Sequence, residues 1–128
     1  MKTLRLVPFL AVSAPALAGV AGPSTLSITE FINDPKADDA VFEWVELYNY
    51  GDAPVDLSGW TLADEDTDNK PTPAVTLQPH DFAILSEDPA AFIAAWGVGT
   101  DGVNVHFMDL GSLANTGDEL ILRDPVGQ

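Results

Sequence analysis

A chain of 128 residues is long enough for one domain. It has 5 lysine and arginine residues against 20 acidic residues, a formal net charge of −15, and no cysteine. The lack of cysteine excludes zinc fingers, iron–sulfur clusters, disulfide frameworks and thiol nucleophiles. The negative charge argues against direct binding to nucleic acid or anionic lipid, while an apolar content of 46% is sufficient for a packed core.

The first eighteen residues have the layout of a secretory signal peptide. Lys2 and Arg5 form a positive start, an apolar stretch follows, and Ala16-Leu17-Ala18 is a small-x-small cleavage sequence. The apolar stretch is far shorter than the ~20 residues that a membrane-spanning helix needs. We therefore predict a signal peptide over 1–18, with cleavage after residue 21 as an alternative. The competing interpretations are an uncleaved anchor and a chance apolar N-terminus. The mature chain would have a formal charge of −17, no transmembrane segment, and a secreted, periplasmic or cell-surface location.

Residues 19–25 are predicted to be a linker, and two long strands follow it. In residues 26–32, every second side chain belongs to one set and those between them to another, an alternation typical of a strand. Pro35 ends this stretch, because proline has no backbone N–H to donate to a neighbouring strand. The second strand is predicted over 41–50, with Val45 and Leu47 on one face.

Short strands and turns fill the rest of the chain. The remaining predicted strands are 55–57, 60–62, 75–77, 82–85, 103–107 and 119–123. We expect 75–77 and 82–85 to form a hairpin, and 64–73 to be a polar loop. One short helix is predicted, with Asp88 as its N-cap, Pro89 at its first position and Gly97 as its stop. Many short strands with one helix predict an all-β sandwich.

Three segments resemble the lamin tail domain family. They are ITEF at 28–31, EWVELYN at 43–49 and VDLSGWTLAD at 55–64. Three further segments, at 77–85, 92–98 and 113–127, fit the bacterial secreted members of the family. The resemblance covers 26–128 and implies an immunoglobulin-like β-sandwich with no catalytic residues. The family usually has Pro-Gly where this chain has Pro79-His80, so one turn lacks its most permissive residue.

The end of the chain departs from the family pattern. The family closes its sandwich with another strand after the turn that Asp124-Pro125-Val126-Gly127 forms here. Because the sequence stops at Gln128, we expect the domain to be truncated, its last strand to be missing and the chain to be part of a longer protein. A strand whose edge is left unpaired promotes aggregation. We therefore expect a chain extended beyond residue 128 to be more stable and to aggregate less.

Alternating carboxylates make Asp64, Asp66 and Asp68 the candidate calcium ligands, because calcium prefers hard oxygen donors. An EF-hand loop starting at Asp64 needs Gly at its sixth position and Glu at its twelfth, where this chain has Asn69 and Val75. The site is therefore predicted to be weak, and a solvated acidic loop is the competing interpretation. No other cofactor is predicted.

Two further patterns could carry chemistry but have simpler interpretations. The G-x-G-x-x-G sequence at 97–102 follows a helix, whereas a dinucleotide site needs it between a strand and a helix start. Glu30, Glu43 and Glu46 could supply an acid and a base for glycoside hydrolysis. Since no nucleophile, base and orienting group assemble around them, we expect Glu46 and Asn49 to hydrogen-bond backbone groups at a strand end.

Histidine and tryptophan residues give two more candidates. His80 and His106 could bind zinc together with a carboxylate, but structural histidines are more common. Trp44, Trp60 and Trp96 are expected in or near the core, with a sugar-binding platform as the alternative if two of them are exposed.

Two functions are therefore predicted for this chain. The first is a non-catalytic binding or structural module of an exported bacterial protein, with an unknown protein or cell-surface ligand as its partner. The alternative is the N-terminal accessory domain of a longer secreted hydrolase, of nuclease or phosphatase type, whose catalytic part lies beyond residue 128. Fold resemblance alone does not decide between them.

Overall fold

The computed structural model describes residues 25–35, 42–64, 69–97, 104–111, 113 and 119–128. Its strands are β1 Leu26–Ile32, β2 Trp44–Asn49, β3 Val55–Asp56, β4 Thr61–Ala63, β5 Lys70–Pro71, β6 Thr76–Leu77, β7 Phe82–Ser86, β8 Val105–Phe107 and β9 Ile121–Arg123. The helix α1, Pro89–Trp96, lies between β7 and β8. This element order confirms the predicted all-β architecture with one short helix.

The strands of the described ranges form three sheets. The largest has the strand order β1-β2-β7-β8, and the smaller ones are β3-β6 and β5-β4-β9. The pairs are antiparallel except for β7 with β8, which is parallel. The parallel pair is possible because α1 carries the chain back across the sheet before β8 begins.

Side chains from all three sheets meet in one core. In β2, Val45 and Leu47 are fully buried and are directed away from the face that carries Trp44 and Glu46, as the period-two pattern predicts. The core cluster consists of Leu26, Val45, Leu47, Val55, Leu57, Trp60, Leu62, Leu77, Ala83, Leu85, Met108, Leu110 and Leu113. Burial of this apolar surface is the main stabilising contribution to the fold.

Two predictions about the middle of the chain were wrong. Residues 75–77 and 82–85 do not pair as a hairpin, because Thr76–Leu77 pairs with β3 and Phe82–Ser86 lies between β2 and β8. The intervening turn is instead bonded to the end of β2, where the His80 amide donates to the Asn49 carbonyl at 2.8 Å. The predicted loop 64–73 also contains a strand, since Lys70–Pro71 pairs with β4.

His80 follows Pro79 in the turn before β7. Its φ is +62°, in the left-handed region that side chains with a Cβ rarely adopt. Its Nε2 atom lies 3.3 Å from the Asp52 carboxylate, and both side chains are exposed. The turn therefore keeps the geometry that suits glycine, and the histidine adopts it at a local energetic cost.

The helix begins and ends where its capping residues predict. The Asp88 carboxylate accepts a hydrogen bond from the Ala91 amide at 2.9 Å, and Pro89 occupies the first turn. Gly97 ends the helix with a φ of +61°, and its amide donates to the Ile93 carbonyl at 3.0 Å. An eight-residue helix has little stability of its own, so these caps and its packing define it.

Asp88→Ala is expected to lower the free energy of unfolding by about 1 kcal/mol, because it removes this capping acceptor. Asp88→Asn keeps an oxygen acceptor and should retain most of the stability. Urea denaturation of the two variants and the wild type measures the difference. Equal losses for both substitutions would contradict a capping role.

The predicted turn at the end of the chain is confirmed. The Asp124 carboxylate accepts hydrogen bonds from the Val126 amide at 3.0 Å and the Gln128 amide at 2.8 Å. Gly127 has a φ of +83°, and the Asp124 amide donates to the Gln128 carbonyl at 3.0 Å. Asp124 is itself buried, so this carboxylate organises the turn from within.

Candidate functional site

The structure describes one of the three candidate calcium ligands. Asp64 directly follows β4, whereas Asp66 and Asp68 lie outside the described residues. Among the residues that are described, no three His, Cys, Asp or Glu side chains are grouped so that they could hold a metal ion. Of the G-x-G-x-x-G sequence, the structure describes only Gly97, which caps α1.

The three candidate glutamates have different environments. Glu30 lies opposite Glu46 in the β1–β2 pair, and Glu46 accepts a hydrogen bond from the Thr29 hydroxyl at 2.7 Å. Glu43 is buried, and its carboxylate accepts from the Leu113 amide at 3.2 Å. The prediction that Glu46 bonds a backbone group is therefore corrected to a side-chain bond, and Glu43 has a structural role.

Asn49 does bond backbone groups at the end of β2, as predicted. Its side-chain amide donates to the carbonyls of Ala53, Leu77 and Gln78 at 2.8, 3.2 and 3.1 Å. Its side-chain oxygen accepts from the Gly51 amide at 3.0 Å. The side chain is fully buried. It joins the end of β2 both to the turn that follows this strand, at Ala53, and to the segment at Leu77 and Gln78.

The two histidines are far apart in the fold. His106 lies opposite Leu85 in the parallel β7–β8 pair, whereas His80 precedes the start of β7 at Phe82. The three steps from Phe82 to Leu85 along β7 cover about 10 Å, and no three His, Cys, Asp or Glu side chains of the described ranges are grouped as metal ligands. The structure therefore does not bring these histidines together as zinc ligands.

Two of the three tryptophans belong to the interior. Trp44 and Trp60 are 5% and 4% exposed, whereas Trp96 is 50% exposed. A sugar-binding platform of two exposed tryptophans is therefore wrong for this fold, because the sheet and the core bury the other two rings.

A groove lies beside the exposed tryptophan, between the end of β1 and the end of α1. Its volume is about 580 Å³, and the lining surface is mostly apolar. The described lining residues are Phe31, Ile32, Asn33, Asp34, Pro35, Phe42, Ala95 and Trp96. A concave apolar surface with a few polar groups is the usual form of a small-ligand site.

Aromatic packing fixes the position of the Trp96 ring at this groove. Phe92 and Trp96 are four residues apart on α1, and their rings stack with centroids 6.1 Å apart. Trp44 meets both rings edge to face, at 5.6 Å from Phe92 and 6.0 Å from Trp96. The sheet thus holds one side of Trp96 while the other side remains exposed.

The polar groups of the groove are at the turn that follows β1. The strand ends at Ile32, and the next three residues, Asn33, Asp34 and Pro35, all belong to the lining. Asp34 is the charged residue among the described lining residues. The groove therefore combines aromatic rings with a negative charge.

Three titratable groups of the described ranges have shifted pKa values, and none of them lines the groove. Hydrogen bonding and charge attraction from Lys70, at 3.0 Å, lower the pKa of Asp109. Hydrogen bonds from Ser58 lower the pKa of Asp56, and burial lowers the pKa of His106. The shifts of Asp109 and Asp56 arise from hydrogen bonds at the protein surface that have a structural role.

The sheet topology, with its shared core, defines an all-β, immunoglobulin-like sandwich. The sequence model of the Lamin Tail Domain family matches residues 20–128, most of the chain. The chain therefore belongs to the lamin tail domain family, whose members are non-catalytic immunoglobulin-like domains. No curated protein matches the sequence.

Sequence patterns did not predict the groove. Its rings come from Phe31 in β1, from Phe42 just before β2 and from Trp96 at the end of α1. Neither spacing nor periodicity relates these three positions, because folding alone brings them together. The sequence offered one local indication of this region. Pro35 predicts a turn shortly after the aromatic residue Phe31.

Proposed function

We propose that this domain is a non-catalytic binding module of an exported bacterial protein, and that its ligand binds in the groove between β1 and α1. The observation that carries the proposal is the exposed aromatic lining of the groove in a chain with a net charge of −15. Membership of the lamin tail domain family supports a binding or structural role. An exposed tryptophan that neighbouring rings hold in place is a typical anchor for a ligand.

Small apolar probes test whether the groove binds ligands. Saturation-transfer NMR with indole and tert-butanol on the full chain should show binding, and Trp96→Ala should weaken it. Phe107→Ala is the matched control, because this ring is 65% exposed and is not part of the groove lining. Probe binding that survives Trp96→Ala unchanged, or no binding by either probe, would reject the groove as the binding surface.

Export is the second part of the proposal, and the N-terminal layout supports it. We expect secreted material to begin at Gly19, because the Ala16-Leu17-Ala18 sequence suits signal peptidase. Intact-mass spectrometry of secreted and cell-associated protein measures this. Replacing Ala18 and Ala21, the residues before the two possible cuts, with leucine should leave the leader attached, whereas a wild-type pool with intact Met1 in the cytoplasm would contradict export.

Calcium binding by Asp64, Asp66 and Asp68 is proposed as weak. Their carboxylates are suitable ligands, but the pattern lacks the glycine and distal glutamate of a tight loop. Calorimetric titration should therefore give a Kd above about 1 μM, and the double substitution Asp66→Asn, Asp68→Asn should abolish the heat signal. A tighter site would reject the acidic-loop interpretation.

The accessory domain of a longer secreted hydrolase stays the alternative. It would assign the same binding role to this domain and the chemistry to a segment beyond residue 128. Sequencing of the gene past the Gln128 codon separates the two proposals, because a hydrolase would encode a catalytic domain there.

A further inference from the structure

Three aromatic side chains border one space at the end of the largest sheet. Phe31, Phe42 and Trp96 line a groove of about 580 Å³, which lies within the volume range of small-ligand pockets. Phe31 is 39% exposed and Trp96 is 50% exposed, so both rings offer accessible surface. The faces of aromatic rings carry negative electrostatic potential and attract cations.

We infer that this groove binds the trimethylammonium group of a small, free, choline-type cation. The inference rests on the proposed function, because it names the ligand class of the same groove. The Asp34 carboxylate among its lining residues complements a positive charge. The net charge of −15 also raises the local concentration of cations around the protein.

The chemistry of the lining favours a quaternary ammonium over a primary one. A primary ammonium has three N–H donors, each of which needs an acceptor when it leaves water. Among the described lining residues, Asn33 and Asp34 supply the polar side chains, and the rest of the wall is apolar or aromatic. A trimethylammonium group has no N–H donor, so rings and one carboxylate satisfy it.

The Asp34 carboxylate favours a ligand that carries no negatively charged group. Phosphocholine and betaine place a phosphate or a carboxylate a few bonds from the nitrogen, where it would meet Asp34 and the acidic chain. Like charges at such distances repel each other. We therefore expect choline to bind more tightly than phosphocholine, betaine or a phosphatidylcholine surface.

The test compares choline with 3,3-dimethylbutan-1-ol, which has the same shape and no charge. NMR titration of the full chain follows the three indole N–H signals, with the buried Trp60 as an internal reference. Choline should shift the Trp96 signal with a Kd of about 1 mM. The neutral alcohol should bind at least about fivefold more weakly, because it lacks the attraction of the rings and the carboxylate for a cation.

Two substitutions separate the contributions of ring and charge. Trp96→Leu keeps an apolar side chain and should weaken choline binding about fivefold. Asp34→Asn should weaken choline two- to fivefold and leave the neutral alcohol unchanged, because it removes charge alone. Phe107→Leu, outside the groove, should change neither ligand. Asp34 is exposed, so Asp34→Asn should melt like the wild type. Trp96→Leu loses ring contacts with Phe92 and Trp44 and should melt at a slightly lower temperature while remaining folded.

The outcomes distinguish this inference from the proposed function. Equal affinities for choline and the neutral alcohol would overturn cation recognition and keep the groove as an apolar binding site. Absence of a Trp96 shift with either compound would overturn both. Tighter binding of phosphocholine, betaine or phosphatidylcholine vesicles than of choline would overturn the free cation as the ligand.

Discussion

Trp60→Ala is expected to lower the free energy of unfolding by about 3–5 kcal/mol, because the substitution leaves a cavity in the shared core. Trp60 is 4% exposed and belongs to the cluster that joins all three sheets. Its backbone is also bonded, since the Thr72 amide and hydroxyl both donate to the Trp60 carbonyl at 3.0 and 3.1 Å. Chemical denaturation followed by circular dichroism measures the change.

Trp96→Ala is the matched control for this prediction. It removes the same side chain from a site that is 50% exposed, so the loss should be below about 1.5 kcal/mol. If Trp60→Ala does not fold, Trp60→Phe keeps most of the apolar volume and should show an intermediate loss. A loss below about 1 kcal/mol for Trp60→Ala would mean that the core does not depend on this ring.

The turn before Trp60 gives the sequence D-L-S-G-W at 56–60 a local structural explanation. The Asp56 carboxylate accepts from the Ser58 amide at 2.8 Å, and the Trp60 amide donates to the Leu57 carbonyl at 3.1 Å. Gly59 has a φ of +81°, which favours glycine. The turn chemistry therefore directs both Leu57 and Trp60 into the core.

Features with local causes could be predicted from the sequence. The alternation in β2 separates Val45 and Leu47 from Trp44, and the structure buries the first two completely. The caps of α1 act within a few residues of Asp88 and Gly97, so their chemistry is visible in the sequence itself.

Features that depend on distant contacts could not be predicted. The strand Lys70–Pro71 is short and polar, and it exists because β4 supplies its hydrogen-bond partners. The parallel pairing of β8 with β7 depends on where α1 returns the chain. The candidate groove is of the same kind, since its rings at positions 31, 42 and 96 meet only in the folded chain.

Asn49 is expected to be the most sensitive polar residue of the described core. Its amide donates to three backbone carbonyls and its oxygen accepts from one backbone amide. Asn49→Ala leaves these groups without partners, each at a cost of about 1–3 kcal/mol where water cannot replace them. We therefore expect a loss of about 3 kcal/mol or more by chemical denaturation.

Asn49→Asp should be more destabilising than Asn49→Ala at pH 7, although it changes the shape of the side chain least. It removes the N–H donors and places a carboxylate against three carbonyl oxygens at a fully buried position. Asn104→Asp is the matched control, because Asn104 is exposed and the same exchange there should cost less than about 0.5 kcal/mol.

The pH dependence of Asn49→Asp identifies the cause of its instability. Burial and the carbonyl oxygens raise the pKa of the introduced carboxyl in the folded state above its unfolded value of about 3.9. The folded state then binds the proton more tightly than the unfolded state, so stability falls as the pH rises above that unfolded value. Relative to Asn49→Ala, the variant should therefore regain stability as the pH is lowered from 7 towards 4. A difference between the two variants that stays constant over this range would mean that lost packing, rather than a buried charge facing carbonyls, destabilises the end of β2.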